Sequence, residues 1–340
     1  MTAPSYESAA PGPVGPVEPA PQPVALEYHE VLRGGRWGER GWWRILLGVP
    51  LAVIAAIIVQ SVPVVVWTIA LMAQGRSYDE VSGAATGGTV TPAFLAVVNL
   101  GWAFTIPVVL LVVWLMHRLR PGWVASVAGR IRWRFLLACL GLSVVALVAN
   151  LLVASLLPAQ SGDSIDGSLN DFTAQTRNFA LVILLLTPLQ AAGEEYAFRG
   201  YLTQAFGGLL AGLGPRVSRT VAVVVPALLF ATAHGAGQGW PIFTDRFAFG
   251  VVAGILVIAT GGLEAGIALH VLNNFLAFGI ALAFGDMTSA LNATGGTWWS
   301  LPSTLTQAVV YTALSIWVAR RMGLATRTAP VVLAAPSARV

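Results

Sequence analysis

A cluster of ionisable residues lies inside an apolar part of the chain. The stretch "AAGEEYAFRGYL", residues 191–202, places Glu194, Glu195 and Arg199 directly after a run of leucines and valines. Each charge costs about 2.5–3.5 kcal/mol at the centre of a membrane helix, so an ionisable cluster there indicates a functional site. Glu195 and Arg199 are spaced i,i+4 and are predicted to pair on one helix face. Glu194 has no such neighbour in the sequence and is expected to act as a general base or acid.

Two histidines also lie within apolar stretches. "LLFATAHG" places Phe230 one helical turn before His234, and "LHVLNNF" places Asn274 one turn after His270. Each pair is therefore predicted to share a helix face. A solitary membrane histidine more often bonds one helix to another. Two histidines, an amide and the two carboxylates on neighbouring stretches favour a catalytic cluster instead.

Such a cluster around a hydrated cavity has the chemistry to hydrolyse an amide bond. Glu194 would take a proton from a water molecule that one histidine helps to hold. His270 and Asn274 would stabilise the oxyanion that develops on the substrate. The sequence has no H-E-x-x-H motif, yet Glu194, His234 and His270 could bind a zinc ion from separate helices. The residues leave a metal-free and a zinc-assisted reaction open, and no cofactor is certain.

Three motifs carry a resemblance to a known family. "EEYAFR" (E-E-x-x-x-R), "FATAH" (F-x-x-x-H) and "HVLNN" (H-x-x-x-N) follow one another on successive apolar segments. In this order they resemble the CPBP family of intramembrane proteases, which includes type II CAAX prenyl endopeptidases and bacteriocin-processing or self-immunity (Abi) proteins. The resemblance covers residues 180–285 and implies an endopeptidase that opens to the cytoplasmic side. The residue roles that it implies are a water-activating Glu194 beside Glu195, a structural Arg199, essential histidines His234 and His270, and an oxyanion-binding Asn274.

The composition predicts the fold class. Of 340 residues, 56% are hydrophobic and only 10% are charged, whereas soluble domains have about 25% charged residues. The sequence therefore predicts an all-α, polytopic transmembrane helical bundle. All basic residues apart from histidine are arginines, and the net charge of +4 indicates a cytoplasmic membrane face rather than a nucleic-acid partner. The arginine- and alanine-rich, lysine-free composition favours a bacterial plasma membrane.

About eight stretches are long enough to cross a bilayer. They are 45–72, 93–116, 135–157, 179–206, 220–234, 247–261, 265–284 and 301–322, with the fourth interrupted at Pro188. Arginines concentrate before the first stretch, after the second, after the fourth and at the end of the eighth. By the positive-inside rule, both termini are predicted to be cytoplasmic.

The sequence divides into four parts. Residues 1–35 are predicted to form a disordered Pro/Ala-rich cytoplasmic tail, and 36–134 to form N-terminal transmembrane helices with a basic loop. Residues 135–322 are predicted to form the protease core, and 323–340 a flexible C-terminal tail.

The expected partners are the lipid bilayer and a peptide or membrane-associated protein substrate. One rival function is a non-catalytic scaffold or bacteriocin-immunity protein of the same fold. Another is a proton-coupled transporter, although transporters more often show repeated halves.

Overall fold

The computed structural model describes residues 25–34, 41–158, 168–234 and 237–329, and these residues form helices but no strand. The α-helices are, in chain order, α1 (Trp42–Ala73), α2 (Tyr78–Ala85), α3 (Pro92–His117), α4 (Trp133–Ala154), α5 (Ala174–Glu195), α6 (Thr203–Leu210), α7 (Pro215–Ala233), α8 (Trp240–Thr260), α9 (Glu264–Phe284), α10 (Met287–Leu291) and α11 (Ser300–Arg321). The predicted all-α polytopic bundle is confirmed.

Each of the eight predicted stretches coincides with a long helix of the described chain. Six of these helices, α1, α3, α4, α7, α8 and α9, are long and apolar enough to cross a membrane. The other two, α5 and α11, have interior polar side chains such as Glu194, Glu195 and Gln307, which lower their mean hydropathy. The helices therefore match the expected eight stretches, while length and composition qualify six as spans.

The irregular part of the fourth stretch is not at Pro188. Helix α5 continues through Pro188 to Glu195, and a π-helical turn, Tyr196–Leu202, connects it to α6. Such π turns inside α-helices are often found at functional sites. The chain thus departs from regular helix directly after the two glutamates, within the segment that contains Arg199.

Two glycines let the helices around α5 approach closely. Helix α5 packs between α3 and α9. A Cβ atom at Gly193 would collide with the carbonyl oxygen of Trp102 on α3, and a Cβ atom at Gly266 on α9 would lie 2.7 Å from Oε2 of Glu195. Because neither glycine has a side chain, α3 and α9 can pack against the part of α5 that carries the glutamates.

Parts of the two predicted tails, residues 25–34 and 323–329, pack against the bundle. Residues Tyr28–Gly34 form a 3₁₀ helix with Tyr28 and Val31 buried, and Glu27 pairs with Arg219 and Arg327. The predicted tails are therefore wrong for residues 25–34 and 323–329, because apolar side chains and ion pairs fix them to the bundle. Residues 1–24, 35–40 and 330–340 of those predicted regions lie outside the described chain.

The ordered chain ends lie at an arginine-rich end of the bundle. There, the loop between α3 and α4 covers the start of α9: the Leu263 amide donates to the Ala125 carbonyl, and Arg132 pairs with Glu264 at 2.6 Å. The helices alternate in direction along the chain. Helices α7 and α9 therefore begin at this end, where Glu27 and Arg327 also lie. Helices α8 and α11 begin at the opposite end.

Candidate active site

The four predicted catalytic residues line one cavity. Its volume is about 450 Å³, and Glu194, His234, His270 and Asn274 all contribute to its wall. These residues come from the end of α5, the end of α7 and the middle of α9. The residues that the sequence places on three separate helices are therefore brought together.

One oxygen of Glu194 is held, and the other is free. The amide nitrogen Nε2 of Gln190 donates to Oε1 of Glu194, and Oε1 of Gln190 accepts a 2.9 Å hydrogen bond from Nδ2 of Asn274. Oε2 of Glu194 is buried with no hydrogen-bond partner in the described chain and lies 3.6 Å from Nε2 of His270. This geometry leaves Oε2 and Nε2 available to a water molecule between them.

Glu195 is buried next to the cavity, and its side chain contacts residues of two sequence motifs. Its Oε1 atom accepts from Arg199 at 3.0 Å and is 2.9 Å from Nδ1 of His270. Glu195 is 0% exposed and Arg199 is 1% exposed, so the predicted pair is fully removed from solvent. A carboxylate at Nδ1 fixes the proton there, so a neutral His270 presents the lone pair of Nε2 to the cavity.

Phe230 is the common packing partner of this group. The guanidinium of Arg199 lies 4.0 Å from the centre of the Phe230 ring, a cation–π contact. The same ring is 4.6 Å from His234 and 6.0 Å from His270, both edge-on. Phe230 therefore orients both imidazoles while it stabilises the buried arginine.

His234 ends helix α7 and is exposed. Its Nδ1 atom is 2.8 Å from the carbonyl oxygen of Phe230. Because a carbonyl only accepts, Nδ1 carries the proton and Nε2 of a neutral His234 has the lone pair.

The comparisons with known proteins bear on this geometry. Residues 176–276 match the family model described as type II CAAX prenyl endopeptidase Rce1-like. This segment therefore resembles that family. It covers less than a third of the chain, but it contains all four cavity residues named above and both members of the buried ion pair. With six apolar helices, the match indicates an integral membrane protein with the fold of this intramembrane-protease family.

A bacterial relative is also similar. The "Uncharacterized protein YyaK" of Bacillus subtilis (strain 168) is 28% identical over 162 residues, which are 44% of this chain and 52% of that protein. The aligned part thus spans about half the length of the relative. No solved structure matches the chain.

The ring orientations in the Rce1-like domain resemble those of metal ligands, but the donors are not gathered. Metal-binding histidines usually donate their other ring N–H to a carboxylate or carbonyl, as His270 and His234 do here. In the described chain, however, no three His, Cys, Asp or Glu side chains form a group able to hold a metal ion. As placed, Glu194, His234 and His270 do not fit zinc, and we derive no step through it.

Sequence reasoning missed several cavity residues. Gln190 is one turn before Glu194 and forms the link to Asn274, and this i,i+4 spacing was the signal that could have found it. Asp245 and Arg246 of α8 also line the cavity. Asn273, which the motifs leave without a role, accepts a 2.6 Å hydrogen bond from Gln307.

The cavity extends away from the arginine-rich end. Its wall includes Arg246 near the start of α8, Ala290 on α10 and Thr304 near the start of α11. These segments lie at the opposite end of the bundle from the ion pairs of Glu27. The cavity wall therefore extends toward the end of the bundle at which α8 and α11 begin, and the predicted cytoplasmic opening stays a prediction.

Proposed function

We propose that the protein is an intramembrane endopeptidase that hydrolyses a peptide bond with a water molecule activated by Glu194. The observation that carries this proposal is the unpartnered, buried Oε2 atom of Glu194, 3.6 Å from Nε2 of His270. Both atoms accept hydrogen bonds in this state, and a water molecule has two protons to donate. The Rce1-like match supports the same reaction class.

The reaction would proceed by addition and elimination. Water donates one proton to Glu194 and a hydrogen bond to His270 while its oxygen attacks the carbonyl carbon of the substrate. The tetrahedral intermediate then collapses, the C–N bond breaks, and Glu194 returns its proton to the leaving nitrogen. Glu194 is thereby restored as a carboxylate, and no covalent enzyme intermediate is formed.

The oxyanion would be stabilised by Asn274 and His270. Nδ2 of Asn274 has a second N–H beyond the one donated to Gln190, and it is available to the oxyanion. His270 can donate from Nε2 only when that nitrogen carries a proton. His270 would hold the water first. When Glu194 passes its captured proton to Nε2 across the 3.6 Å gap, His270 would donate to the oxyanion until that proton returns to Glu194 for the leaving nitrogen.

The proposed substrate is a peptide or a segment of a membrane-associated protein. We propose that it enters from the membrane face opposite the arginine-rich end, because the cavity wall extends to the starts of α8 and α11. A bacterial plasma membrane suits the composition and the bacterial relative.

The test is cleavage of a peptide library by the purified protein, read by mass spectrometry. Glu194→Gln should lower turnover by roughly 10²–10⁴-fold, because it removes a general base. Glu80→Gln, on the exposed surface of α2, is the matched control and should cleave like the wild type. Equal cleavage by the Glu194→Gln protein would overturn the proposal.

The same experiment separates the rival functions. A scaffold or immunity protein would cleave no peptide and would bind its partner with either residue at position 194. A proton-coupled transporter would cleave nothing and would lose coupled flux in Glu194→Gln.

Zinc dependence stays a prediction with its own test. The wild-type protein should be assayed after dialysis against a chelator and again after Zn²⁺ is restored. Loss of cleavage that zinc alone reverses would support the zinc-assisted reaction, and unchanged cleavage would support the metal-free one.

A further inference from the structure

The cavity contains a cation that the proposed reaction does not use. Arg246, on the second turn of α8, lines the same 450 Å³ space as Glu194 and His270. It is partly buried, and in the described chain no carboxylate oxygen lies within 4 Å of its nitrogens. Other arginines of the bundle do have such partners: Arg199 pairs with Glu195, and Arg132 pairs with Glu264.

A neutral contact holds Arg246 in place. Its NH1 group donates to Oε1 of Gln238 at 2.5 Å, and Nε2 of Gln238 donates to the carbonyl oxygen of Ala231 at 3.1 Å. Ala231 is on the last turn of α7, next to His234. The amide therefore fixes the guanidinium relative to a catalytic histidine without neutralising its charge.

The acids near Arg246 act on it only at longer range. Asp245 precedes Arg246 and interacts with it electrostatically, as Glu194 also does, but neither carboxylate forms an ion pair with Arg246 within 4 Å in the described chain. Asp245 accepts a hydrogen bond from Thr304 of α11, and its other contacts do not include an ion pair in the described chain. Arg246 therefore has acids nearby but no direct carboxylate partner in the described chain, and its guanidinium can still bind a carboxylate in the partly desolvated cavity.

We propose that Arg246 binds a carboxylate group of the substrate and so helps to determine which peptides are cleaved. This inference rests on the proposed function. A guanidinium binds a carboxylate through two parallel N–H donors, which provides orientation as well as affinity. The carboxylate has two chemical sources, an Asp or Glu side chain or a free peptide C-terminus, and both offer the same group to Arg246.

The experiment compares matched peptides with and without the charge. One pair differs by Asp against Asn with the C-terminus amidated, and a second, neutral pair differs by a free against an amidated C-terminus. Their kcat and KM are measured with the wild type, Arg246→Gln and Arg246→Lys. Arg216→Gln, an exposed arginine at the start of α7, is the matched control.

For the wild type, one carboxylate peptide should have a KM about 10-fold or more below that of its neutral partner, the size typical of a charged hydrogen bond. Arg246→Gln should reduce the ratio of kcat/KM between the carboxylate peptide and its neutral partner to about one, because it removes the group that distinguishes them. Arg246→Lys should retain part of this preference, since lysine keeps the charge but not the paired donors. A wild type with no preference in either pair, or an Arg246→Gln protein that keeps it, would overturn the proposal.

A binding measurement separates this inference from the proposed function. Fluorescently labelled versions of the same peptides are titrated into Glu194→Gln and into Glu194→Gln/Arg246→Gln. Carboxylate-selective binding by the first protein alone supports the role of Arg246 even where the wild type cleaves nothing. Cleavage without a charge preference would support the proposed protease but contradict the role of Arg246. Absence of binding by both proteins would also contradict the role of Arg246.

Discussion

Glu195 and His270, 75 positions apart in the sequence, are in direct contact through Oε1 and Nδ1 at 2.9 Å. The same oxygen accepts from Arg199 at 3.0 Å. One carboxylate therefore has two tasks: it neutralises a buried arginine, and it orients the imidazole that faces the free oxygen of Glu194. These tasks can be separated by experiment.

Replacing Glu195 by Gln should slow the reaction. The amide still fills the space, but it cannot act as the anionic acceptor that fixes the proton on Nδ1 of His270. Loss of such an outer partner typically costs 10–100-fold, so kcat should fall by about that factor. The measurement is steady-state cleavage, with KM expected to stay within about twofold and Glu80→Gln as control. An unchanged kcat would mean that Glu195 only neutralises the charge of Arg199 and does not affect the reaction through His270.

Replacing Arg199 by Ala should mainly reduce the amount of folded protein. The change leaves Glu195 buried and unpaired and also removes the contact with the Phe230 ring, a loss of about 3–5 kcal/mol. The double variant Glu195→Gln/Arg199→Met should recover much of this stability, because it leaves no buried charge, while turnover stays low. Thermal unfolding and cleavage are measured on the same preparations. Normal folding of Arg199→Ala with reduced cleavage would place Arg199 in contact with substrate instead.

The helices and the grouping of the polar residues around one cavity could be predicted because burying polar groups in lipid costs free energy. Apolar runs of about 20 residues mark helices, and charges inside them, such as those of Glu194 and Arg199, stand out against that background. The i,i+4 spacing correctly predicted the pair of Glu195 and Arg199, since both residues project from neighbouring turns.

Other features depend on contacts that the sequence does not display. The π turn at Tyr196–Leu202 has no residue signature, and Pro188 was the more visible candidate for an interruption. Glu27 lies in a Pro/Ala-rich context, and its role emerges only because the fold brings Arg219 and Arg327 beside it. Arg246 lies near a helix start, where an arginine usually indicates nothing more than the membrane surface.

The side on which the cavity opens can be measured by cysteine labelling. The only natural cysteine, Cys139, is buried, so an introduced cysteine is expected to dominate the signal. Ala290→Cys on the cavity wall should react with a membrane-impermeant maleimide in intact cells, whereas Met322→Cys at the arginine-rich end should react only after permeabilisation. We expect a difference of roughly tenfold or more, because the bilayer excludes the charged reagent. The reverse pattern would establish a cytoplasmic opening.

The ion pairs of Glu27 should make the fixation of both chain ends dependent on pH. Its carboxylate accepts hydrogen bonds from Arg219 at 2.8 Å and Arg327 at 2.6 Å, and these contacts, that of Arg219 first, hold the pKa of Glu27 below its ordinary value of 4.5. A carboxyl group whose pKa is lowered by folding adds stability above the unfolded value, and this stability is lost as the pH falls through the folded value. Glu27→Gln should therefore cost about 1 kcal/mol at pH 7, or roughly 2 °C in Tm, and the difference from the wild type should shrink below about pH 4.5. Thermal unfolding over this range checks the effect, with Asp171→Asn, a change at an exposed residue before α5, as the control. A Glu27→Gln deficit that is independent of pH would show that Glu27 acts through packing and not through its charge.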